Sequence, residues 1–226
     1  MLKSHARPFI FAHRGASAVA PENTLEAFEL AFQQGAQGIE LDAKLSLDGE
    51  VVVIHDASVD RTTEGSGRVA SMTLEQLKSL NAGYYDIVRF TKCKIPTLGE
   101  VFDAFGHRGI LNVELTNYST PWDLLIDKVC SLIVAHGLQD RILLSSFLGR
   151  NLIGAARLSP SVHRGLLALL GWLGVWARSI GLILGNIQCL HVNFRDVDKQ
   201  QVLHVHRLKR LINVWTVNTR EDILKL

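Results

Sequence analysis

The sequence predicts an α/β protein whose parallel strands close into a barrel. Eight short runs rich in aliphatic and β-branched residues alternate with segments of helical periodicity. Several of those runs are apolar from end to end, as expected for parallel strands covered on both faces. No Gly-x-Gly-x-x-Gly or P-loop follows any run, which removes the main signal for an open nucleotide-binding sheet.

The strands are expected at residues 9–12, 38–42, 51–55, 110–115, 142–146, 165–170, 189–194 and 211–217. After the first, Asn23 is placed to cap a helix, with Glu26 three residues on and Leu25, Phe28 and Phe32 along one face. After the third, the rhythm breaks. Residues 57–95 are long and turn-rich (Glu64-Gly65-Ser66-Gly67), with one short helical piece at 73–79, and read as a small insertion on one rim. Thr97 and Glu100 form a capping box after Pro96, leading into Val101, Phe102 and Phe105. Helices are also expected at 122–138, ending at Gly137, and at 196–210. Residues 165–176 (GLLALLGWLGVW) are uncharged and apolar, but too short for a bilayer span of about 20 residues. They read as a buried strand running into an apolar helix. A membrane-surface or partner-binding role for Leu169, Trp172, Leu173 and Trp176 is the other reading.

The 226 residues, 47% apolar and 20% charged, can fill one sizeable core, and no linker interrupts them, so 1–226 is expected to be a single domain. A net charge of +2 without any block of like charge argues against a nucleic-acid partner. Arg207, Lys209 and Arg210 read as a solvated helix face. Cys93, Cys130 and Cys189 are far apart and form no Cys-x-x-Cys, which fits a reducing compartment. The first residues lack the apolar core of a secretory signal, so a cytoplasmic protein without a transmembrane segment is expected.

Chemistry concentrates at predicted strand ends, where barrels carry their active sites. His13, Arg14, Glu40, Asp42, His55 and Glu114 all fall there. Glu40 and Asp42, one residue apart on a strand, point to the same face. Three crowded carboxylates raise one another's pKa values unless a cation relieves them, and oxygen ligands suit Mg²⁺ or Ca²⁺ better than zinc. Two histidines can give and take protons near pH 7, and an arginine fork can clamp a phosphate oxygen. The set reads as metal-assisted phosphodiester hydrolysis. His107, His136, His163, His204 and His206 match no ligand spacing, and His191, which alternates with Asn193 on a late strand, has substrate contact as its lesser reading.

The series His13-Arg14-Gly15, Pro21-Glu22-Asn23-Thr24, Glu40-Leu41-Asp42, Asp48-Gly49, His55-Asp56, Asp60-Arg61-Thr62-Thr63, Ile95-Pro96-Thr97-Leu98, Asn112-Val113-Glu114, Ser145-Ser146-Phe147 and Trp215-Thr216-Val217-Asn218 resembles the glycerophosphodiester phosphodiesterases, above all their cytosolic bacterial members. The resemblance implies a TIM-type (β/α)8 barrel with a small insertion and one bound divalent cation, Mg²⁺ or Ca²⁺. It also implies a small-molecule glycerophosphodiester substrate, cleaved to an alcohol and sn-glycerol 3-phosphate. By motif position it makes His13 and His55 the acid–base pair, Glu40, Asp42 and Glu114 the metal ligands, Arg14 the phosphate contact, and Glu22 and Trp215 pocket residues.

The chain departs from the family pattern twice. Where the family has Lys two residues after the third carboxylate, this chain has Thr116, losing a charge-assisted contact of roughly 1.5–3 kcal/mol. Lys44, on the strand face of Glu40 and Asp42, is the candidate replacement. The chain also stops at Leu226, inside a helix beginning near Thr219, where the family continues into a further strand; the expectation is a barrel truncated at its C-terminal end. Two other readings stay open here. One is a lysophospholipase D-type activity with an acyl chain received by residues 169–176. The other is a catalytically weakened relative that binds a phosphodiester without turning it over.

Overall fold

The computed structural model describes residues 8–84, 89–90, 92–182 and 186–226. The chain divides into two compact units, residues 1–143 and 144–226.

The first unit is built around β2 (Gly38–Leu45). β1 (Phe11–His13) and β4 (Ile110–Leu115) pair with it in parallel, with His13 opposite Glu40 and Asp42 opposite Glu114. The third run differs from expectation. β3 (Val51–Val53) runs antiparallel to β2, with Leu45 opposite Val51 and Ala43 opposite Val53, so it is the return arm of a hairpin and no parallel stave. The reason is length: a parallel crossover needs a dozen or more residues, and only Ser46 to Glu50 separate the two strands. The Ser46 hydroxyl closes that turn, donating to Asp48 and accepting from the Glu50 N–H, and Gly49 supplies its positive φ of 79°.

Helix α1 (Leu25–Gln33) packs Ala27, Phe28 and Ala31 inward. Its cap is Thr24, whose hydroxyl accepts from the Ala27 N–H, and not Asn23 as the sequence suggests. Asn23 is drawn to the site instead. Residues 57–95 carry α2 (Leu74–Ser79), capped by Thr73. They are no loose loop: Val59, Val69, Leu77, Ala82, Cys93 and Ile95 form an apolar cluster with Val52 and Ile54. The capping box at Thr97 and Glu100 starts α3 (Leu98–Phe105) as expected. Phe105 then stacks on Phe32 and meets Phe28 edge-on. α4 (Leu125–Ala135) begins later than the sequence suggests, because Asp123 ties Asn117, Thr120 and the Leu125 N–H into a turn.

β5 (Ile142–Ser146) spans the boundary between the units. In the second unit, β6 (His163–Leu167), β7 (Cys189–Asn193) and β8 (Leu211–Trp215) pair in parallel in that order. α5 (Gly149–Leu158) was not foreseen; its N-terminus carries no side-chain cap that would announce it. α6 (Lys199–Arg207) is capped by Asp198 and α7 (Arg220–Lys225) by Thr219. Leu152, Leu166, Leu182, Leu190, Val192 and Val205 are among its core residues. β6 ends at Leu167, short of the predicted 170, and a tight helical turn follows at Gly171–Gly174.

Candidate active site

The register of the first unit assembles the predicted carboxylates. Glu40 and Asp42 share one face of β2, and β4 brings Glu114 beside Asp42. One oxygen from each lies within 4.8 Å of the others. Glu40 and Asp42 are buried, and Glu114 is half-buried. Burial, then the charges of Asp42 and Glu114, push the Glu40 carboxyl well above its usual range. Burial and Asp42 likewise raise Glu114 to about 7, against a 2.7 Å hydrogen bond from the Tyr118 hydroxyl. Glu40 Oε2 accepts from the Arg14 N–H at 3.1 Å, while its Oε1 is buried with no hydrogen-bond donor among the described residues. Crowded, all-oxygen and under-satisfied, the triad fits a hard divalent cation such as Mg²⁺ or Ca²⁺.

The turn after β1 delivers a histidine and an arginine to this triad. His13 Nε2 lies 3.8 Å from Glu40 Oε2. Burial, and then the neighbouring Arg14 charge, lower the His13 pKa to about 4, so the ring is neutral near pH 7. Arg14 adopts a φ of 56°, a conformation that non-glycine residues seldom take. It aims its Nε at Asp42 Oδ2, 3.3 Å away, though without hydrogen-bond alignment. Its NH1 donates to Glu22 at 3.2 Å. Gly15, at φ 81°, has no room for a side chain: a Cβ would lie 2.7 Å from the Ala27 carbonyl carbon. Asn23 also has positive φ, which asparagine tolerates. It donates to Asp42 Oδ2 at 2.8 Å and accepts from the Asp42 N–H at 3.3 Å.

His55 arrives from the other side, two residues beyond β3. Its Nδ1 contacts Asp56 Oδ1 at 2.6 Å; a carboxylate only accepts, so Nδ1 holds the hydrogen that faces it. Asp56 accepts in turn from Arg61 Nε at 2.6 Å. The Arg61 fork grips Glu22 at 2.7 and 2.9 Å. Arg61, then His55, hold the Asp56 carboxyl down at about 2 against partial burial. Burial would raise Glu22, but its two arginines outweigh that and leave it below its usual range. An unbroken chain of charges thus runs from His55 through Asp56, Arg61, Glu22 and Arg14 to Asp42.

Lys44 is buried on β2, its ammonium donating to the Thr116 carbonyl at 2.6 Å and the Thr116 hydroxyl at 2.9 Å. Burial lowers its pKa, opposed by Asp42 and Glu114. Trp215 belongs to the second unit, where its ring meets Phe147 edge-on at 5.9 Å. The structure therefore brings together His13, Arg14, Glu22, Glu40, Asp42, His55 and Glu114, with Lys44 beside them in the same unit. Sequence reasoning passed over three contributors. Asn23 looked like a cap, although Thr24 beside it serves as well. Arg61 lay inside a noted motif without a role. Tyr118 follows Glu114 by four residues with no marker of its own.

The model of the glycerophosphoryl diester phosphodiesterase family matches residues 13–226. The chain belongs to that family. It is 34% identical to a glycerophosphodiester phosphodiesterase of Caldanaerobacter subterraneus subsp. tengcongensis over 221 residues, covering 97% of this chain and 90% of the relative. A second relative of that name, from Bacillus altitudinis, is 34% identical over 218 residues, covering 95% and 88%. Among solved structures, an Oleispira antarctica phosphodiesterase in complex with the product sn-glycerol-3-phosphate shares 32% identity at a TM-score of 0.88, covering 96% and 88%. A glycerophosphodiester phosphodiesterase from Agrobacterium tumefaciens shares 27% at a TM-score of 0.81, covering 96% and 90%. Family membership thus extends to the α/β architecture, that of the TIM-barrel class. Among the described residues, no helix is long and apolar enough to cross a membrane.

Proposed function

We propose that this protein hydrolyses glycerophosphodiesters to an alcohol and sn-glycerol 3-phosphate. Glu40, Asp42 and Glu114 would hold one divalent cation, Mg²⁺ or Ca²⁺, and His13 and His55 would exchange the protons. The observation that carries this reading is the buried carboxylate triad, with Glu40 Oε1 unpartnered and with His13 and Arg14 at its edge. When bound, the cation supplies charge against the negative charge that builds on the phosphoryl oxygens.

The chain's own residues do the rest. Arg14 is pinned by Glu22 and turned toward Asp42, where its fork can take a phosphate oxygen. Lys44 adds a buried ammonium next to Thr116, the position where the family pattern places a lysine. His13, neutral near pH 7, can accept a proton. Asp56 fixes the tautomer of His55, so that Nε2 serves the exchange. Glu22 lines the pocket in this reading. Residues 1–226 act as one cytoplasmic domain whose strands close into a barrel, with residues 57–95 on its rim. The substrate is a small molecule, and no nucleic acid takes part.

Release of sn-glycerol 3-phosphate from glycerophosphocholine tests the proposal, with Mg²⁺ or Ca²⁺ added and with EDTA. Turnover should need the cation and disappear in His13→Ala. A folded, cation-loaded protein with no turnover would overturn the enzymatic reading in favour of a binding relative. Turnover of lysophosphatidylcholine in place of the soluble diester would move it to a lysophospholipase D.

A further inference from the structure

The longest acid-free stretch of the chain contains an exposed apolar face. Between Asp140 and Asp196 the sequence has six arginines and no Asp, Glu or Lys. In its middle, Leu170, Trp172, Leu173, Val175, Trp176 and Ile180 all stand exposed, Trp172 by 82% and Trp176 by 55%. A solvated helical turn ordinarily shows polar residues outward. Here Ala177 and Leu182 cover the core of the second unit while the outer side stays apolar.

This face is built, not frayed. Arg178 clasps it from within, donating to Asp196 Oδ2 at 2.6 Å and to the carbonyls of Leu169 and Gly171. The Gly171 N–H joins the same Asp196 oxygen at 2.7 Å. Gly174 lies so close to the Leu169 carbonyl that a Cβ would come within 1.9 Å, and Gly181 sits against the Trp176 ring. The turn is therefore held in one shape with its tryptophans outward. Positive charge flanks it. Arg195, exposed, precedes the clasping Asp196. The first acid after the stretch is thus already paired. Residues 144–226 together carry eleven Lys and Arg against four Asp and Glu.

We propose that residues 169–180 dock this protein on an anionic lipid surface. Exposed Trp and Leu sit favourably at the boundary of headgroups and acyl chains, and a basic flank adds attraction to anionic lipids. The segment is too short to span the bilayer, so it lies on the surface. Charge selects lipid over a second copy of the chain. A two-fold interface would press the same net-basic unit against itself, each copy carrying eleven Lys and Arg against four Asp and Glu.

Co-sedimentation of the full chain with vesicles tests this. Vesicles of phosphatidylglycerol and phosphatidylcholine should pull the protein down at low salt, pure phosphatidylcholine should not, and brominated acyl chains should quench its tryptophan emission. The double variant Trp172→Ser/Leu173→Ser should bind at least tenfold more weakly. Both residues face solvent, so it should keep its thermal midpoint and its rate on a soluble diester. Arg195→Glu should weaken binding and flatten its salt dependence. Equal binding by wild type and the double variant would overturn the proposal. So would a concentration-dependent dimer, abolished by the same variant, without vesicle binding; that result would assign the face to self-association.

Discussion

At the scale of single residues, the chain places ionisable groups according to whether a charge can be compensated. Asp56 is ionised because Arg61 and His55 face it, and Glu22 because two arginines do. His191 is the opposite case. It is fully enclosed on β7, its Nε2 accepting from the Asn213 amide at 3.2 Å, and burial alone lowers its pKa to about 3. In the unfolded chain the ring protonates below about pH 6.5. Between 6.5 and 3 the unfolded state binds the extra proton, so stability falls as pH falls through that window, by up to about 1.4 kcal/mol per unit. Urea unfolding of wild type and His191→Gln at pH 7, 5 and 4 should show the variant losing stability less steeply on acidification. Parallel curves would mean that another group governs that window. The sequence left His191 with substrate contact as its lesser reading, and nothing in its pattern tells that the ring is sealed in.

At the scale of elements, the site is a product of pairing registers. The period-two face of β2 made Glu40 and Asp42 legible, and the position of Glu114 late in β4 made the third carboxylate legible. The direction of β3 was not, since a short apolar run reads the same in either orientation; the brevity of the connection was the available clue. That direction has a use. β3 descends along β2, with the Ile54 N–H bonded to the Asp42 carbonyl, so the β2–β3 register sets how far His55 returns toward the carboxylates. A slip of two residues would carry it about 6–7 Å. Between β2 and β4 the same logic governs Lys44. Its ammonium reaches from β2 to the hydroxyl of Thr116, one residue past β4, where the family pattern has the cation itself. Lys44→Met should lower kcat/KM on glycerophosphocholine about 10- to 100-fold, the loss of one charge-assisted contact. Thr116→Lys in that background should restore much of it. Failure of the second substitution to rescue a folded double variant would show that Lys44 serves packing, not charge.

At the scale of the whole molecule, the proposed cation would link binding to folding through the triad. Without a cation, Glu40 must be neutral or sit charged beside two other acids, and either state costs stability at pH 7. A ligand that binds only the folded chain raises stability by about 2.7 kcal/mol at a hundredfold excess over its Kd. Calorimetry should therefore show a midpoint rising with Mg²⁺ or Ca²⁺ and falling with EDTA. Glu40→Gln should melt higher than wild type in EDTA and gain little from either cation. A wild-type midpoint indifferent to both cations would count against the triad as a metal site. The strand–helix alternation and the ordered motifs made this chain's class readable from end to end. Less readable was the organisation of residues 57–95, which read as a small turn-rich insertion on the rim because its apolar residues follow no single period. Those residues share a cluster with Val52 and Ile54, on the segment that leads into His55, and they carry Arg61 as well. Partial melting of that stretch would release the Asp56 grip and loosen the backbone under His55 together. Should that stretch open before the sheet does, heat or proteolysis would silence turnover while most of the chain is still folded.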